Sequence, residues 1–305
     1  MSTMKQLSIY LLFLSLSGLS CQSFELAEPF KFSSKAETLA GHLHADTVSH
    51  YSTFYNLKYG KEPNQVYDLY LPARQDNRKD MQSVSLILVH GGGWALLDKS
   101  FLNPYVESFK KQGLNVTIFN INHRLADRNE INFPEIMDDF RTFFAHHDSL
   151  RDSLHLNNKK VLWGYSSGGH LALSYAYMYG YKNIDATVAI VAPTDLSDPK
   201  IHEHIYDDKG RNLCTYLIGQ SFEEAPHEFR MASPINYVTK DTPPTLLIYG
   251  GSDFLVDQSQ GQRLHEKLTK VKVHNHFELV PDATHDMDGK THELIAQSVE
   301  FLNGL

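Results

Sequence analysis

From Val66 onward, the sequence alternates short runs rich in β-branched and aromatic residues with longer segments of helical periodicity. Strands that are separated by helix-length segments do not pair as hairpins, because each connection crosses over and returns the chain in parallel. Near-continuous apolar strand runs are typical of a sheet that is buried on both faces. The alternation therefore predicts an α/β fold with a mostly parallel central sheet and helices on both faces.

The pattern also predicts where the individual elements lie. The predicted strands are at residues 66–71, 85–89, 116–121, 160–163, 187–191, 245–249 and 274–280. The predicted helices are at residues 103–112, 134–148, 168–179, 258–269 and 289–302. Pro134 just inside a helix start and Gly180 just after a helix end stand where these residues are usual.

Two segments do not follow this alternation of strands and helices. Residues 24–59 show no clear period, and we interpret residues 21–65 as an N-terminal segment that precedes one folded domain at residues 66–305. Residues 197–241 form the longest stretch without strand character. Such an insertion lies at an edge of the sheet or over the site, so we interpret it as a small lid.

Composition and charge exclude some classes of protein. The chain has 42% hydrophobic and 21% charged residues, which is typical of a soluble globular protein. Its formal net charge is −8 and its 28 Lys and Arg are scattered, so we expect no nucleic-acid partner. Two cysteines, Cys21 and Cys214, form at most one disulfide, so we expect burial to hold the fold.

The N-terminus has the features of a signal peptide. Residues 1–20 carry one base, Lys5, and an apolar stretch at residues 7–19 that is shorter than a membrane-spanning helix. The small residues before Cys21 resemble the lipobox of bacterial lipoproteins, although Gly18 stands where Leu is usual. We expect an exported protein that is periplasmic, secreted or lipid-anchored, with a plain cleaved signal peptide as the alternative to acylation of Cys21.

A Gly-x-Ser-x-Gly pattern centred on Ser166 follows the predicted strand at residues 160–163 and opens the next helix. A sharp strand-to-helix turn of this kind strains the backbone of its middle residue, so small neighbours are needed at Gly164 and Gly168. The N-terminus of the helix also favours a developing negative charge. This context predicts Ser166 as a nucleophile.

A glycine-rich motif, HGGGW, begins at His90, directly after the second predicted strand. Consecutive glycines let backbone N–H groups converge on an oxyanion with no side chain in the way. We expect Gly92 and Gly93 to donate there, together with the N–H of Ser167. We predict that His90 holds the loop, and that Trp94 either lines the acyl pocket as a substrate-binding residue or packs in the core.

An acid and a base are predicted near the C-terminal end of the chain. Asp253 follows the strand at residues 245–249, and functional groups of open α/β sheets collect at the carboxyl ends of strands. Asp257 is the alternative acid, but it lies closer to the next helix, so we favour Asp253. The predicted base is His285, which follows a strand end in a loop. The later histidines that fall in predicted helices or a strand are His265, His274, His276 and His292.

Together, HGGGW, GYSSGG, GGSD and the late His285 resemble the motifs of the α/β-hydrolase fold, in the esterase/lipase group related to hormone-sensitive lipase and to bacterial feruloyl-esterase-like proteins. The resemblance covers residues 66–305. Flanking DLYLP and NHRL segments resemble landmarks of the same group, with His123 where Tyr is usual. Two departures are Ser167, where Ala is frequent, and the insertion around His202-Glu203-His204, which matches none of the group's motifs.

The resemblance implies a catalytic domain at residues 66–305 that hydrolyses carboxylic esters through an acyl-enzyme, with Ser166, Asp253 and His285 as the triad. It implies no cofactor, and a small-molecule, carbohydrate or lipid ester as substrate. The alternatives are an N-formyl amide hydrolase resembling kynurenine formamidase, a serine peptidase resembling the prolyl oligopeptidase group, and a non-catalytic anchored binding protein. We expect no metal site at His202-Glu203-His204, because no further ligand cluster accompanies it.

The lipobox-like sequence leads to a test of localisation. If Cys21 is acylated, the mature protein should stay with the membrane fraction at high salt, because its acyl chains exceed the single chain that binds only marginally. Cys21→Ala should then yield a soluble form or an uncleaved precursor. Fractionation and N-terminal mass spectrometry check this, and a soluble wild type that begins at another residue would exclude lipidation.

Overall fold

The structure, a computed structural model, describes residues 44–46, 51–72, 83–112, 114, 116–179, 183–206 and 209–305. The predicted signal peptide, Cys21 and Gly180 lie outside these residues. The strands are β1 His44–Asp46, β2 Tyr51–Lys58, β3 Val66–Pro72, β4 Ser83–Val89, β5 Val116–Ile121, β6 Leu156–Tyr165, β7 Ala186–Ile190, β8 Thr245–Gly250 and β9 Asn275–Val280. The α-helices are α1 Asn103–Lys110, α2 Phe133–Leu154, α3 Ser167–Met178, α4 Ile201–His204, α5 Leu213–Ile218, α6 Pro226–Met231, α7 Ser259–Lys270 and α8 Thr291–Asn303.

The strands form one sheet in the order β1-β2-β3-β5-β4-β6-β7-β8-β9. The neighbours from β5 to β9 are all parallel, whereas β1, β2 and β3 add an antiparallel edge that ends on β5. Each of the seven predicted strands and five predicted helices has its counterpart, with bounds that differ by a few residues. The predicted fold class, a mostly parallel α/β sheet, is confirmed.

Helices cover both faces of the sheet, as predicted. On one face, α1 and α8 contribute Phe109 and Phe301 to a core cluster that also holds Trp163 from β6. On the other face, α2, α3 and α7 bury their apolar residues in a larger cluster around Phe140 and Leu171. Helix α2 has Pro134 in its first turn, as predicted, and the Glu135 carboxylate of that turn accepts the backbone N–H of Asn132 at 3.1 Å.

The sheet extends further toward the N-terminus than predicted. Strand β2 lies within the segment at residues 21–65 that we separated from the folded domain, and it pairs with β3 along its whole length. This strand is difficult to predict from the sequence, because a bulge between Phe54 and Leu57 interrupts the alternation of inward- and outward-facing residues. Asn56, within the bulge, adopts φ 55°. Asn56 is held there by a backbone hydrogen bond to Asp68 Oδ1 at 2.8 Å.

The insertion at residues 197–241 connects β7 to β8 and contains α4, α5, α6 and a 3-10 turn at Pro234–Tyr237. The His202-Glu203-His204 triplet lies on helix α4. The His202 ring donates a hydrogen bond to the Leu196 carbonyl, and the His204 side chain is half exposed.

Within the described residues, no helix combines the length and apolarity needed to cross a membrane.

Strand pairing decides which loops meet at the carboxyl edge of the sheet. In the β4–β6 pair, Val89 lies opposite Gly164, so the HGGGW motif and the turn at Ser166 leave the sheet side by side. In the β8–β9 pair, Gly250 lies opposite Val280, which brings the segments that carry Asp253 and His285 together. All predicted site residues of the domain therefore belong to one edge of the sheet.

Several histidines are buried in the core as neutral rings. Burial, followed by the neighbouring His123, lowers the pKa of His90 to about 3, and burial lowers the pKa of His170 to about 4. Burial also lowers the pKa of His123 and His147. In the unfolded chain, each of these rings would return to an ordinary pKa of about 6.5.

We therefore expect the free energy of unfolding to fall as the pH is lowered from about 6.5 to about 4. In this window the unfolded chain binds protons that the folded core excludes, so acid favours unfolding. Each buried histidine adds a slope of up to about 1.4 kcal/mol per pH unit. Urea titrations over this range measure the slope, and His147→Gln should reduce it. A free energy of unfolding that stays constant there would contradict this expectation.

Candidate active site

Ser166 stands on the sharp turn between β6 and α3. Its backbone is at φ 54° and ψ −123°, a strained conformation for a residue with a side chain. Two close approaches explain the small neighbours: a Cβ at Gly164 would lie 2.3 Å from the Gly168 carbonyl oxygen, and a Cβ at Gly168 would lie 2.2 Å from the Val89 carbonyl oxygen. The Ser166 N–H donates to the Ile190 carbonyl at 2.7 Å, which fixes the turn against β7.

The structure brings Ser166, His285 and Asp253 into one hydrogen-bonded chain. Ser166 Oγ lies 2.8 Å from His285 Nε2, and His285 Nδ1 lies 2.8 Å from Asp253 Oδ2. The other carboxylate oxygen of Asp253 accepts the backbone N–H groups of Leu255 and Val256 at 2.8 and 2.9 Å. The acid is therefore held in one orientation by three hydrogen bonds.

The chemistry of these partners defines the tautomer of His285. An ionised carboxylate only accepts, so Nδ1 carries the proton that is donated to Asp253, and Nε2 is free to accept from the Ser166 hydroxyl. The Asp253 side chain is fully buried, whereas 16% of the His285 side chain is exposed. A ring in this state can take a proton from Ser166 while Asp253 stabilises the resulting imidazolium.

Asp257, the alternative acid, points elsewhere. Its carboxylate accepts the Ser259 N–H at 2.9 Å and pairs with Lys200 Nζ at 3.1 Å. Hydrogen bonding to Ser259, together with Lys200, lowers the pKa of Asp257. It serves the start of helix α7, as its position in the sequence suggests, and Asp253 is the carboxylate beside His285.

The loop that carries His285 is also fixed from the β6 side. The Tyr165 hydroxyl donates to the His285 carbonyl at 2.7 Å, and burial raises the pKa of Tyr165 well above its ordinary value. The sequence gives little sign of this contact, because Tyr165 occupies a variable position of the Gly-x-Ser-x-Gly pattern.

The four other histidines that follow Asp253 in the chain lie in helices, in a strand or beside one. His265 and His292 lie on helices, His276 is exposed on β9, and His274 precedes that strand and stacks on Phe301.

The HGGGW loop runs directly beside Ser166. A Cβ at Gly91 would lie 3.3 Å from Ser166 Cβ, and Gly92 and Gly93 adopt φ 116° and 58°. The N–H groups of Gly92, Gly93 and Ser167 donate no hydrogen bond to the described part of the chain. Unbonded backbone donors next to a nucleophile are what an oxyanion hole requires.

His90 supports this loop from below, in keeping with the role predicted for it. Its Nδ1 donates to the Gly91 carbonyl at 2.7 Å, and its ring stacks on His123 at 4.6 Å with an interplanar angle of 4°. His123 makes the matching contact, from Nδ1 to the Arg124 carbonyl at 2.7 Å. The stacked rings thus connect the segments that follow β4 and β5, next to the glycines of the HGGGW loop.

Trp94 packs in the core, so the first of its two predicted roles, lining the acyl pocket, does not fit this structure. Only 1% of the residue is exposed, and its indole Nε1 donates to His170 Nδ1 at 3.1 Å. Sequence reasoning missed His170. The available signal was its position four residues after Ser166, one helical turn along the face that carries the nucleophile.

The insertion also contacts the HGGGW loop. A Cβ at Gly93 would lie 2.3 Å from Leu213 Cδ1, at the start of α5. A cleft of about 190 Å³ lies between α4 and the Asp253 loop. It is lined by Lys200, Glu203, His204, Asp253, Phe254, Leu255 and Asp257.

Within the described residues, no three His, Cys, Asp or Glu side chains are grouped as a metal site would require.

Comparison with known proteins extends these observations. Esterase LipC of Mycobacterium tuberculosis is 26% identical over 249 residues, which cover 75% of this chain and 59% of LipC, so the chain spans about three fifths of that relative. A truncated carbohydrate esterase from gut microbiota superposes with a TM-score of 0.71 at 21% identity, covering 84% of this chain and 97% of the other.

A second solved structure, esterase B from Lactobacillus rhamnosis, has a TM-score of 0.66 at 18% identity and covers 88% of each chain. At these identities, the structural likeness establishes the α/β-hydrolase fold. The BD-FAE family profile matches residues 67–268, which include the HGGGW, GYSSGG and GGSD motifs. The chain therefore belongs to the BD-FAE family, with the α/β-hydrolase fold that its motifs predict.

Proposed function

We propose that the protein hydrolyses carboxylic esters by acyl transfer, with Ser166 as nucleophile, His285 as general base and acid, and Asp253 as the group that orients His285. The observation that carries the proposal is the continuous chain from Ser166 Oγ to His285 Nε2 and from His285 Nδ1 to Asp253, each link being 2.8 Å. Nucleophile, base and orienting acid within hydrogen-bond reach are the signature of covalent catalysis.

In the first half of the reaction, Ser166 Oγ bonds to the ester carbonyl carbon while its proton moves to His285 Nε2. The carbonyl oxygen becomes an oxyanion that accepts hydrogen bonds from the backbone N–H groups of Gly92, Gly93 and Ser167. Collapse of this intermediate breaks the bond to the alcohol, which leaves with the proton from Nε2. In the second half, His285 Nε2 takes a proton from water while the water oxygen bonds to the acyl carbon. The bond from this carbon to Ser166 Oγ then breaks, Oγ takes the proton back from Nε2, and the carboxylic acid product leaves.

Relatives support ester hydrolysis over other acyl transfers. LipC and the two structural neighbours described above are named as esterases, and one of them is named as a carbohydrate esterase. We therefore propose a small-molecule, carbohydrate or lipid ester as substrate. Parallel assays with nitrophenyl acyl esters, acetyl-xylan, feruloyl esters, formyl-kynurenine and a proline-containing peptide test this choice, and turnover confined to the last two substrates would contradict it.

We also propose that the enzyme works outside the cytoplasm, on the basis of the signal-like residues 1–20 and the lipobox-like residues before Cys21. An enzyme without a cofactor suits such a compartment, because the proposed chemistry uses only side chains, backbone N–H groups and water. The fractionation experiment on Cys21 tests this part of the proposal.

Ser166→Ala should lower kcat by about 10⁵- to 10⁶-fold, because only the attacking oxygen is lost. A residual acceleration of about 10³ over water should persist from the oxyanion hole and binding. A fluorophosphonate probe should label wild type at Ser166 and leave Ser166→Ala unlabelled. Ser153→Ala, on the exposed side of α2, is the matched control and should label normally. Labelling at another residue would remove Ser166 from the mechanism.

Asp253→Asn should lower kcat by about 10³- to 10⁴-fold, because an amide in place of the carboxylate favours the wrong tautomer of His285. Asp257→Asn is the matched control and should stay within about threefold of wild type, since a surface change of this kind is usually small. Its side chain is 41% exposed and pairs with Lys200. Steady-state kinetics of both variants distinguishes the acids, and equal losses would contradict the assignment.

A further inference from the structure

The backbone of Trp94 adopts an unusual conformation. It has φ 64°, directly after Gly92 at 116° and Gly93 at 58°. A bulky residue with positive φ is strained, and it persists only where the surroundings enforce it. Because Trp94 follows the two glycines that carry the proposed oxyanion donors, whatever holds Trp94 also determines where those N–H groups point.

The ring of His170 supplies the polar contact that holds the indole. Trp94 Nε1 donates to His170 Nδ1 at 3.1 Å, and the two rings meet edge to face at 5.3 Å and 84°. Both residues are buried, at 1% and 0% exposure. A buried indole N–H without an acceptor would bear its full desolvation cost, so the hydrogen bond opposes any rotation of Trp94 out of its position.

The other ring nitrogen of His170, Nε2, also has a hydrogen-bond partner. Nε2 lies 2.8 Å from the Ala232 carbonyl, at the end of α6. A carbonyl only accepts and an indole N–H only donates, so both neighbours require the same neutral tautomer, with the proton on Nε2. The backbone N–H of His170 donates to the Ser166 carbonyl at 3.1 Å. One residue thus joins the nucleophile turn, the oxyanion loop and the insertion.

We propose that His170 is a positioning residue for the oxyanion loop: it fixes Trp94 and thereby directs the N–H groups of Gly92 and Gly93 toward the oxyanion that forms beside Ser166. The inference rests on the proposed function, since it presupposes that an oxyanion forms there. His170 does not contact the substrate in this account. Its loss should therefore weaken binding of the transition state and leave substrate binding nearly unchanged.

Two amide substitutions separate the two hydrogen bonds of the ring. The His170→Asn side chain places an amide oxygen near the former Nδ1 and retains an acceptor for Trp94. The His170→Gln side chain reaches the former Nε2, so it keeps the bond to Ala232 and loses the acceptor. We expect His170→Gln to lower kcat by about 10- to 100-fold with KM within about threefold, a smaller loss than removal of an oxyanion donor. His170→Asn should recover most of kcat.

Trp94→Phe removes the same hydrogen bond from the other side. It should reproduce the loss of kcat seen in His170→Gln, and the double variant should lose little more, because both changes break one interaction. His147→Gln is the matched control: His147 is also fully buried, but its ring bonds to Ser85 and Asp148. It should lower the free energy of unfolding without lowering kcat.

A spectroscopic readout follows the contact itself. In ¹⁵N-labelled protein, the Trp94 indole N–H resonance, assigned by its absence in Trp94→Phe, should shift and exchange faster in His170→Gln than in His170→Asn. If Ser166→Ala is inactive as proposed but His170→Gln keeps wild-type kcat or an unshifted resonance, the positioning role is wrong and the proposed function stands. If wild type hydrolyses no ester, or Ser166→Ala retains turnover, the proposed function is wrong and this inference with it.

Discussion

The parallel pairing of β4 with β6 is the contact on which the site depends. The two strands are separated in the chain by α1, β5 and α2, yet they lie side by side with Val89 opposite Gly164. The chain leaves β4 toward β5 on one side and returns to β6 on the other, so strand order reverses at this point. Ligands of open α/β sheets bind at such a reversal, because the loops there diverge and leave a crevice between them.

Close approach across this pair explains the glycines better than the turn alone. A Cβ at Gly168 would meet the Val89 carbonyl oxygen, and a Cβ at Gly91 would lie 3.0 Å from the Tyr165 carbonyl oxygen. Each motif therefore excludes side chains where the other motif passes. The glycine-rich loop and the serine turn form one tightly packed unit, in which small shifts of either part would change the distance from Ser166 to the unbonded N–H groups.

Histidine has two different physical roles around this unit. His90, His123 and His170 are buried neutral rings that connect backbone segments through hydrogen bonds of defined direction. His285 is partly exposed and hydrogen-bonded to the buried Asp253 carboxylate, and under the proposed function it is the ring that exchanges a proton with Ser166. Residue type alone does not separate the two roles, because burial and hydrogen-bond partners distinguish the buried connecting rings from the ring beside Ser166.

The sequence by itself determined the layered α/β architecture, the positions of seven strands and five helices, and the segments that meet at the carboxyl edge. Local periodicity and glycine patterns carry this information, because they reflect which face of an element is buried and where the backbone must turn. The order of the motifs was also enough to single out Ser166 and His285 as candidates, since each follows a strand end.

Only the tertiary structure decided the remaining points. The sequence favoured Asp253 over Asp257 on position alone, whereas in the structure the turn after β8 directs Asp253 to His285 and Asp257 to Lys200. The bulge at Asn56 concealed β2, and the contact of Trp94 with His170 joins residues 76 positions apart. These features depend on strand order, register and the direction of buried side chains, which long-range packing determines and local sequence patterns do not record.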